Sequence, residues 1–176
     1  MKDAVSISTF HADDIGAHLG ELAALLFACV HDGASISFVL PFTRHEGELF
    51  WSGKVLPAVR TGRLTLFVAR LEGRIAGSVQ LDHDTPPNQP HRVEVRKLLV
   101  HPDFRRRGIA HLLMAELEEL TRRMGRRLIT LDTRTGDKAE PLYASLGYQT
   151  AGVIPGYCLD PIDGRLDSTT LMYKAL

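Results

Sequence analysis

The chain has only two cysteines among its 176 residues, Cys29 and Cys158, and they form no CxxC pair. The usual zinc-ribbon and dithiol-redox spacings are therefore excluded, and two reduced thiols fit a cytosolic protein. There is no apolar run near the roughly 18 residues that a membrane-spanning helix needs. The opening residues MKDAVSISTF lack the apolar core of a signal peptide. The expectation is a cytoplasmic protein with no membrane partner. Charge of one sign is also not in excess: 21 Lys and Arg balance 21 Asp and Glu. No strongly basic surface, and so no nucleic-acid partner, is expected. None of the eight histidines sits in an HExxH or comparable ligand pair, so no metal is expected. The P-loop GxxxxGK[ST] and the Rossmann GxGxxG are both missing. No repeat, low-complexity tract or linker divides the chain, and its length suits one domain, residues 1–176, with a two-layer core.

What is present is a regular alternation of strand and helix patterns. Val5 and Ile7 alternate with polar neighbours and predict a first strand. Ile15, Leu19, Leu22, Leu25 and Leu26 recur at helical spacing from Asp14 to about Val30, with Asp13 or Asp14 as the cap. Cys29, in the run LLFACV, is expected in the core. After the loop HDGASISF, a second helix is predicted from about Thr43 to Arg60, ending before Gly62. LTLFVAR and RIAGSVQL flank Glu72-Gly73 and predict a hairpin. Three prolines make DTPPNQP a loop. VEVRKLLV reads as a strand, Gly108 to Met124 as a long amphipathic helix, RLITLDT as a strand and Asp137 to Leu146 as a short helix. Two more strands close the chain, with Cys158 placed in a Gly/Pro-rich loop as a surface thiol. This order predicts an α/β fold, a mixed sheet with helices on both faces.

The segment VEVRKLLVHPDFRRRGIAHLLMAELEEL carries the most information. A strand ends at Val100, His101-Pro102 breaks it, and Arg105-Arg106-Arg107-Gly108-Ile109-Ala110 leads into a helix. A helix start leaves N–H groups unpaired and carries partial positive charge, which suits an anion. Gly108 permits close backbone approach, Ala110 is small, and three arginines add charge. Together they suit a pyrophosphate; the plainer alternative is a solvated basic turn. R-x-x-G-x-A behind a strand with the pattern Leu98-x-Val100 resembles the acetyl-CoA signature of the GNAT superfamily. Downstream, AEPLYASLGYQTAG is similar to that superfamily's A-x-x-x-Y-x-x-x-G-[FY] helix and strand. The two motifs stand in register over roughly residues 93–153.

The resemblance implies a mixed, mostly antiparallel central sheet, splayed where acetyl-CoA binds, and an N-acetyltransferase acting on an amine. It implies that the backbone of Leu98, Leu99 and Val100 bonds the pantetheine arm, and that Arg105, Arg106, Arg107, Gly108, Ile109, Ala110 and His111 form the pyrophosphate turn. One departure is Gly136, three residues before Ala139, where many members carry an Asn. Acetyl transfer needs a neutral amine, donors for the oxyanion and help for the departing thiolate. By resemblance Tyr143 stands near the CoA sulfur as the acid; otherwise it is a packing ring. Asp132, in a position that carries an acid in related N-terminal acetyltransferases, and Glu94, on the adjacent strand, are candidate bases. A charge in a central strand is costly unless paired or functional, and two adjacent carboxylates raise one pKa. The alternatives are ion pairs, Glu94 with Arg92 or Arg96, and Asp132 with Arg134 or as a cap.

A narrower similarity, to the toxin-acetylating tabtoxin-resistance branch of the superfamily, runs through VHDGASISF, EVRKLLV, LDT, PGYC and DGRL. It implies a small-molecule amine, a toxin or antibiotic among them, and points to His31, Ser35 and Tyr157 as substrate-facing; a surface role for His31 is the alternative. A protein N-terminal acetyltransferase and a CoA-binding regulator without turnover are the competing functions. A monomer or a homodimer fits either.

Overall fold

The computed structural model describes residues 4–176. β1 (Ser6–Phe10) is followed by α1 (Ala12–Ala17) and α2 (Leu19–His31). The single helix predicted here is two, because His18 leaves helical geometry at φ −114°, ψ 22°. Its Nδ1 lies 2.9 Å from the Glu21 carboxylate and 3.1 Å from the Arg70 guanidinium, which itself pairs with Glu21 at 3.2 Å. Neither predicted aspartate is the cap. The helix starts behind His11, and the Asp14 carboxylate reaches back to accept the His11 N–H at 2.8 Å. The second predicted helix starts at Thr43, whose hydroxyl accepts from Glu46 N–H while Glu46 takes the Thr43 N–H, a reciprocal capping box. It comprises α3 (Arg44–Phe50), a π turn (Trp51–Val55) and α4 (Leu56–Arg60). At the π turn, the fully buried Trp51 indole donates to Leu22 O at 2.9 Å.

β2 (Leu64–Leu71) and β3 (Arg74–Asp82) form the expected hairpin, turning through positive φ at Glu72 and Gly73. β4 (Arg92–Val100), α5 (Ile109–Arg123), β5 (Leu128–Arg134) and α6 (Ala139–Ser145) follow in the predicted order. β6 (Gln149–Leu159) and β7 (Leu166–Ala175) close the chain. The predicted loop around Pro155 is instead part of β6. Pro155, Gly156 and Tyr157 bulge between Ile154 and Cys158, opposite a single β7 residue. A proline survives there because β6 is the edge strand and its missing N–H leaves no ladder bond broken.

The sheet order is β1-β2-β3-β4-β5-β7-β6, and only β4–β5 is parallel. This is the α/β GNAT-type layering expected, with helices on both faces. α5 and the Tyr143 side of α6 pack with Phe67, Leu81, Val93, Val95, Ile129 and Leu131. α1 to α4 pack on the other face with Leu64, Leu66, Val68 and Leu99. Among the described residues no helix is long and apolar enough to cross a membrane.

Gly77 sets how closely β3 lies under β4 and α5. A Cβ there would stand 2.6 Å from Leu99 O and 3.0 Å from Ile109 Cγ2. Gly77→Ala is expected to cost about 1–3 kcal/mol by overpacking, whereas Gly20→Ala, with nothing within 4 Å on α2, should add roughly 0.5 kcal/mol through helix propensity. Urea unfolding of both variants checks this; a neutral Gly77→Ala would contradict the close packing.

Candidate functional site

The site follows from how two neighbouring strands part. β4 and β5 pair only from Arg92–Leu128 to Glu94–Thr130. Beyond Glu94, β4 stays with β3 while β5 continues along β7. The β4 edge facing the gap therefore has unpaired backbone groups that must find partners elsewhere. β4 also bulges: Ser78 faces Leu99 and Gln80 faces Arg96, so Lys97 and Leu98 together oppose Val79, with Lys97 at φ 49°. The gap opens into a cavity of about 920 Å³.

One end of the cavity is the turn before α5. Arg106 (φ 62°) and Gly108 (φ 78°) alternate in left-handed conformation, a backbone arrangement that turns successive N–H groups to one side. Gly108 is the N-cap, no side chain caps the helix, and no acidic residue occupies its first turn. The uncapped N–H groups and the helix dipole thus face the cavity, the condition for holding an anion. A Cβ on Gly108 would meet nothing within 4 Å; glycine is favoured by its φ and leaves open space where an anion would lie. Arg105, Arg106, Gly108, Ile109, Ala110 and His111 line the cavity, and so do Leu98, Leu99 and Val100. Arg107 does not: it pairs with Glu72 at 2.7 Å and lies over the Phe104 ring. Arg105 forms a close ion pair with Asp32, at the end of α2.

Asp132, Glu94, Tyr143 and Ser35 line the same cavity. Asp132, just past the last β4–β5 pair, is exposed and accepts a hydrogen bond from Thr169 at 3.0 Å. Glu94 is held between Arg92 at 3.5 Å and Arg96 at 3.2 Å, and Arg96 also binds Asp82 at 3.0 Å. The two candidate bases thus have separate partners, and Glu94 has the ion pairs foreseen as its alternative role. Tyr143 is 5% exposed, with its ring 5.7 Å from Tyr148. Burial, and after it the charge of Asp132, pushes its phenol well above the ordinary value. Burial likewise pushes the Cys29 thiol up to about 12, and its Sγ–H donates to Val100 O at 3.5 Å, as befits a core residue.

His31 and Tyr157 lie outside the cavity lining. The exposed His31 ring bonds Phe42 O at 2.9 Å and stacks on Phe27. Tyr157 is 54% exposed on the β6 bulge. The two loops read as substrate-facing do meet, with Ser35 Oγ and Cys158 Sγ 3.5 Å apart.

Sequence reasoning missed Lys97 and gave Arg134 another partner, since among the described residues Arg134 makes no ion pair with Asp132. Lys97 stands at the β4 bulge, which only the register against β3 reveals. Arg134, at the end of β5, bonds Gly33 O, Asp137, Asp160 and Asp167 at 2.9–3.5 Å. It ties the loop after α2 to the β6–β7 turn beside the cavity, which Gly33, Arg134 and Asp137 line. An arginine among several aspartates was the available signal, but these aspartates converge only in the fold.

Comparison with known proteins fits this geometry. The sequence profile of the acetyltransferase (GNAT) family matches residues 27–148, and the chain belongs to that family. A relative from Azospirillum brasilense, an uncharacterized N-acetyltransferase of the hisH-hisA intergenic region, is 34% identical over 114 residues, 64% of this chain. The chain spans less than two thirds of the length of such relatives, 66% in this case. Among solved structures, a ribosomal-protein-alanine N-acetyltransferase from Brucella melitensis superposes with a TM-score of 0.78 at 22% identity, over 97% of this chain and 99% of that one. The acetyltransferase yncA from Salmonella typhimurium, solved with its cofactor acetyl-CoA, gives 0.75 at 18% identity, over 98% and 94%. At these identities the likeness is one of fold.

Asp160 offers a check on this side of the site. The N–H groups of Asp163 and Ile162, then Arg165 and Arg134, hold its carboxyl below the usual value. A depressed folded pKa contributes stability that is complete above the unfolded value, about pH 4, and is lost as pH falls through the folded one. Asp160→Asn should therefore flatten the acid limb of the stability curve below about pH 4. Urea unfolding from about pH 2.5 to about pH 7 reads it; an unchanged acid limb would remove Asp160 from this role.

Proposed function

We propose that the protein is an acetyl-CoA-dependent N-acetyltransferase whose acceptor is a small-molecule amine. The observation that carries this reading is the uncapped, alternating turn of residues 106–108 opening onto the β4–β5 gap. The turn and the first N–H groups of α5 would hold the pyrophosphate, and the gap-facing backbone groups of Leu98 to Val100 would bond the pantetheine arm. Bound there, acetyl-CoA supplies an activated acyl group, so no metal is called for.

The chain's own side chains supply the proton handling. An alkyl amine is mostly protonated at neutral pH and attacks only after losing that proton. Asp132 is the base in this reading, because its carboxylate lines the cavity and, among the described residues, has only the Thr169 hydroxyl as partner. Glu94 is committed to Arg92 and Arg96 and orders the cavity wall. Tyr143 serves the departing sulfur. Even an ordinary phenol, near 10, is less acidic than a thiol, near 8.5, and burial widens the gap. Tyr143 therefore keeps its proton and acts as a hydrogen-bond donor to the thiolate. A toxin or antibiotic is one such acceptor in this reading, on the sequence resemblance of the segments that hold Ser35 and Cys158, which meet in the fold.

Gly108→Leu should weaken CoA binding at least tenfold, read by calorimetry on folded protein, because a side chain at positive φ strains the turn and fills the anion's space. Unchanged affinity would place the pyrophosphate elsewhere.

Turnover followed by CoA release tests the chemistry. Asp132→Asn should lower kcat/KM by about 10²-fold or more with a high-pKa amine and recover with a low-pKa amine. Tyr143→Phe should lower kcat by about 10–100-fold, the worth of one hydrogen bond to a charged group. Wild-type rates in both variants, with chemistry rate-limiting, would make both residues structural.

A further inference from the structure

A second cavity, of about 370 Å³, lies against the first. Arg96 and Lys97 line both, so side chains from the β4 bulge form the partition. The volume falls in the range of small-ligand sites. β3 contributes Gln80 to one wall, and the helix containing the π turn brings Phe50 and Lys54 to the other. π turns within helices are frequent at functional sites.

The charges of this side cavity do not balance. Four cations line it, Lys54, Arg63, Arg96 and Lys97, against the carboxylates of Asp82 and Asp84. Both carboxylates are engaged, Asp82 with Arg96 at 3.0 Å and Asp84 with Arg63 at 3.6 Å. Among the described residues neither Lys54 nor Lys97 has an ion-pair partner. Lys97 is half-buried; it donates to Ser37 Oγ at 2.8 Å and lies 5.9 Å from the ring centroids of Phe38 and Phe50. Burial, and then the charge of Arg96, holds its ammonium below the ordinary value, with Asp132 opposing. A half-buried cation without an ion-pair partner gains from an arriving anion.

A separate observation points the same way. Gln80 is 3% exposed, lines the side cavity, and its amide nitrogen is buried without a hydrogen-bond partner. Buried polar atoms are normally paired, and an orphan on a residue that lines a cavity is open to a partner held in that cavity, a water or a ligand atom.

We propose that the side cavity holds an anionic group carried by the acceptor amine, with Lys97 and Lys54 as its cations and the Gln80 amide as a hydrogen-bond partner. The acceptor is then an amino acid or a comparable amine whose carboxylate or phosphonate reaches past the β4 bulge while its amine stays in the main cavity. This rests on the reading of the main cavity as an acetyl-transfer site. It gives the acceptor an orientation: amine towards Asp132, anion towards Lys97.

The experiment uses protein saturated with CoA, which cannot turn over, so that binding is read apart from activity. Ligand-detected NMR titrations compare α- and ω-amino acids with their carboxamides and with aminophosphonates of matched length. At least one acid or phosphonate is expected to bind about tenfold or more tightly than its carboxamide, the scale of one well-placed charge pair. That advantage should fall several-fold in Lys97→Met and in Lys54→Gln; the exposed position of Lys54 keeps the second variant informative if the first fails to fold. Whether carboxylate or phosphonate binds better identifies the anion. Equal affinity for acids and carboxamides, binding of neither, or an advantage unchanged in the folded variants would overturn the proposal. Acids that bind in the expected pattern yet release no CoA from acetyl-CoA would support the anion site and count against the acetyl-transfer reading.

Discussion

The divergence of β4 from β5 after the Glu94–Thr130 pair is the constraint on which the site depends. A continuous parallel pairing would satisfy the backbone of residues 95–100 within the sheet and leave no gap. Once the strands part, β4 offers an open edge, β5 carries Asp132 to the far wall, and α6 brings Tyr143 beneath it. The same parting places the start of α5 at one end of the opening. Gly77 supports this arrangement, since only a residue without a side chain lets β3 lie so close to Leu99 and Ile109.

The opening would be unstable as bare polar backbone and scattered charge, and the chain manages both. Ion pairs run along the wall through Asp82, Arg96, Glu94 and Arg92. Arg134 gathers three carboxylates and the carbonyl of Gly33 beside the cavity. These pairs compensate charges that a partly desolvated site would otherwise destabilise. The groups left over among the described residues are informative for that reason: Asp132 with one hydroxyl partner, Lys97 without a carboxylate, and the Gln80 amide with an unpaired nitrogen.

Much of this was legible in the sequence, and the rest was not, for definite reasons. The element order, the β2–β3 hairpin and α5 follow from local periodicity and turn chemistry, which act within a few residues. The α5 turn was legible because Gly108 and Ala110 sit where a helix starts. The break at His18 was hidden, because the Arg70 side chain that His18 meets there comes from β2, far along the chain. The path of β6 through Pro155 was hidden as well, since a proline reads as a loop unless the strand is known to be an edge. Bulges are properties of strand pairs, so Lys97 read as one more strand residue. For Glu94 the sequence left a base and an ion pair open, and in the fold it is ion-paired on both sides.

Amide hydrogen exchange with and without acetyl-CoA tests most directly whether the strand gap and the α5 turn form one binding site. Added acetyl-CoA should slow exchange at residues 98–100 and 106–111 together, while amides of the distant β1–β2 ladder stay unchanged. Protection confined to one of the two segments, or appearing elsewhere on the sheet, would contradict the account.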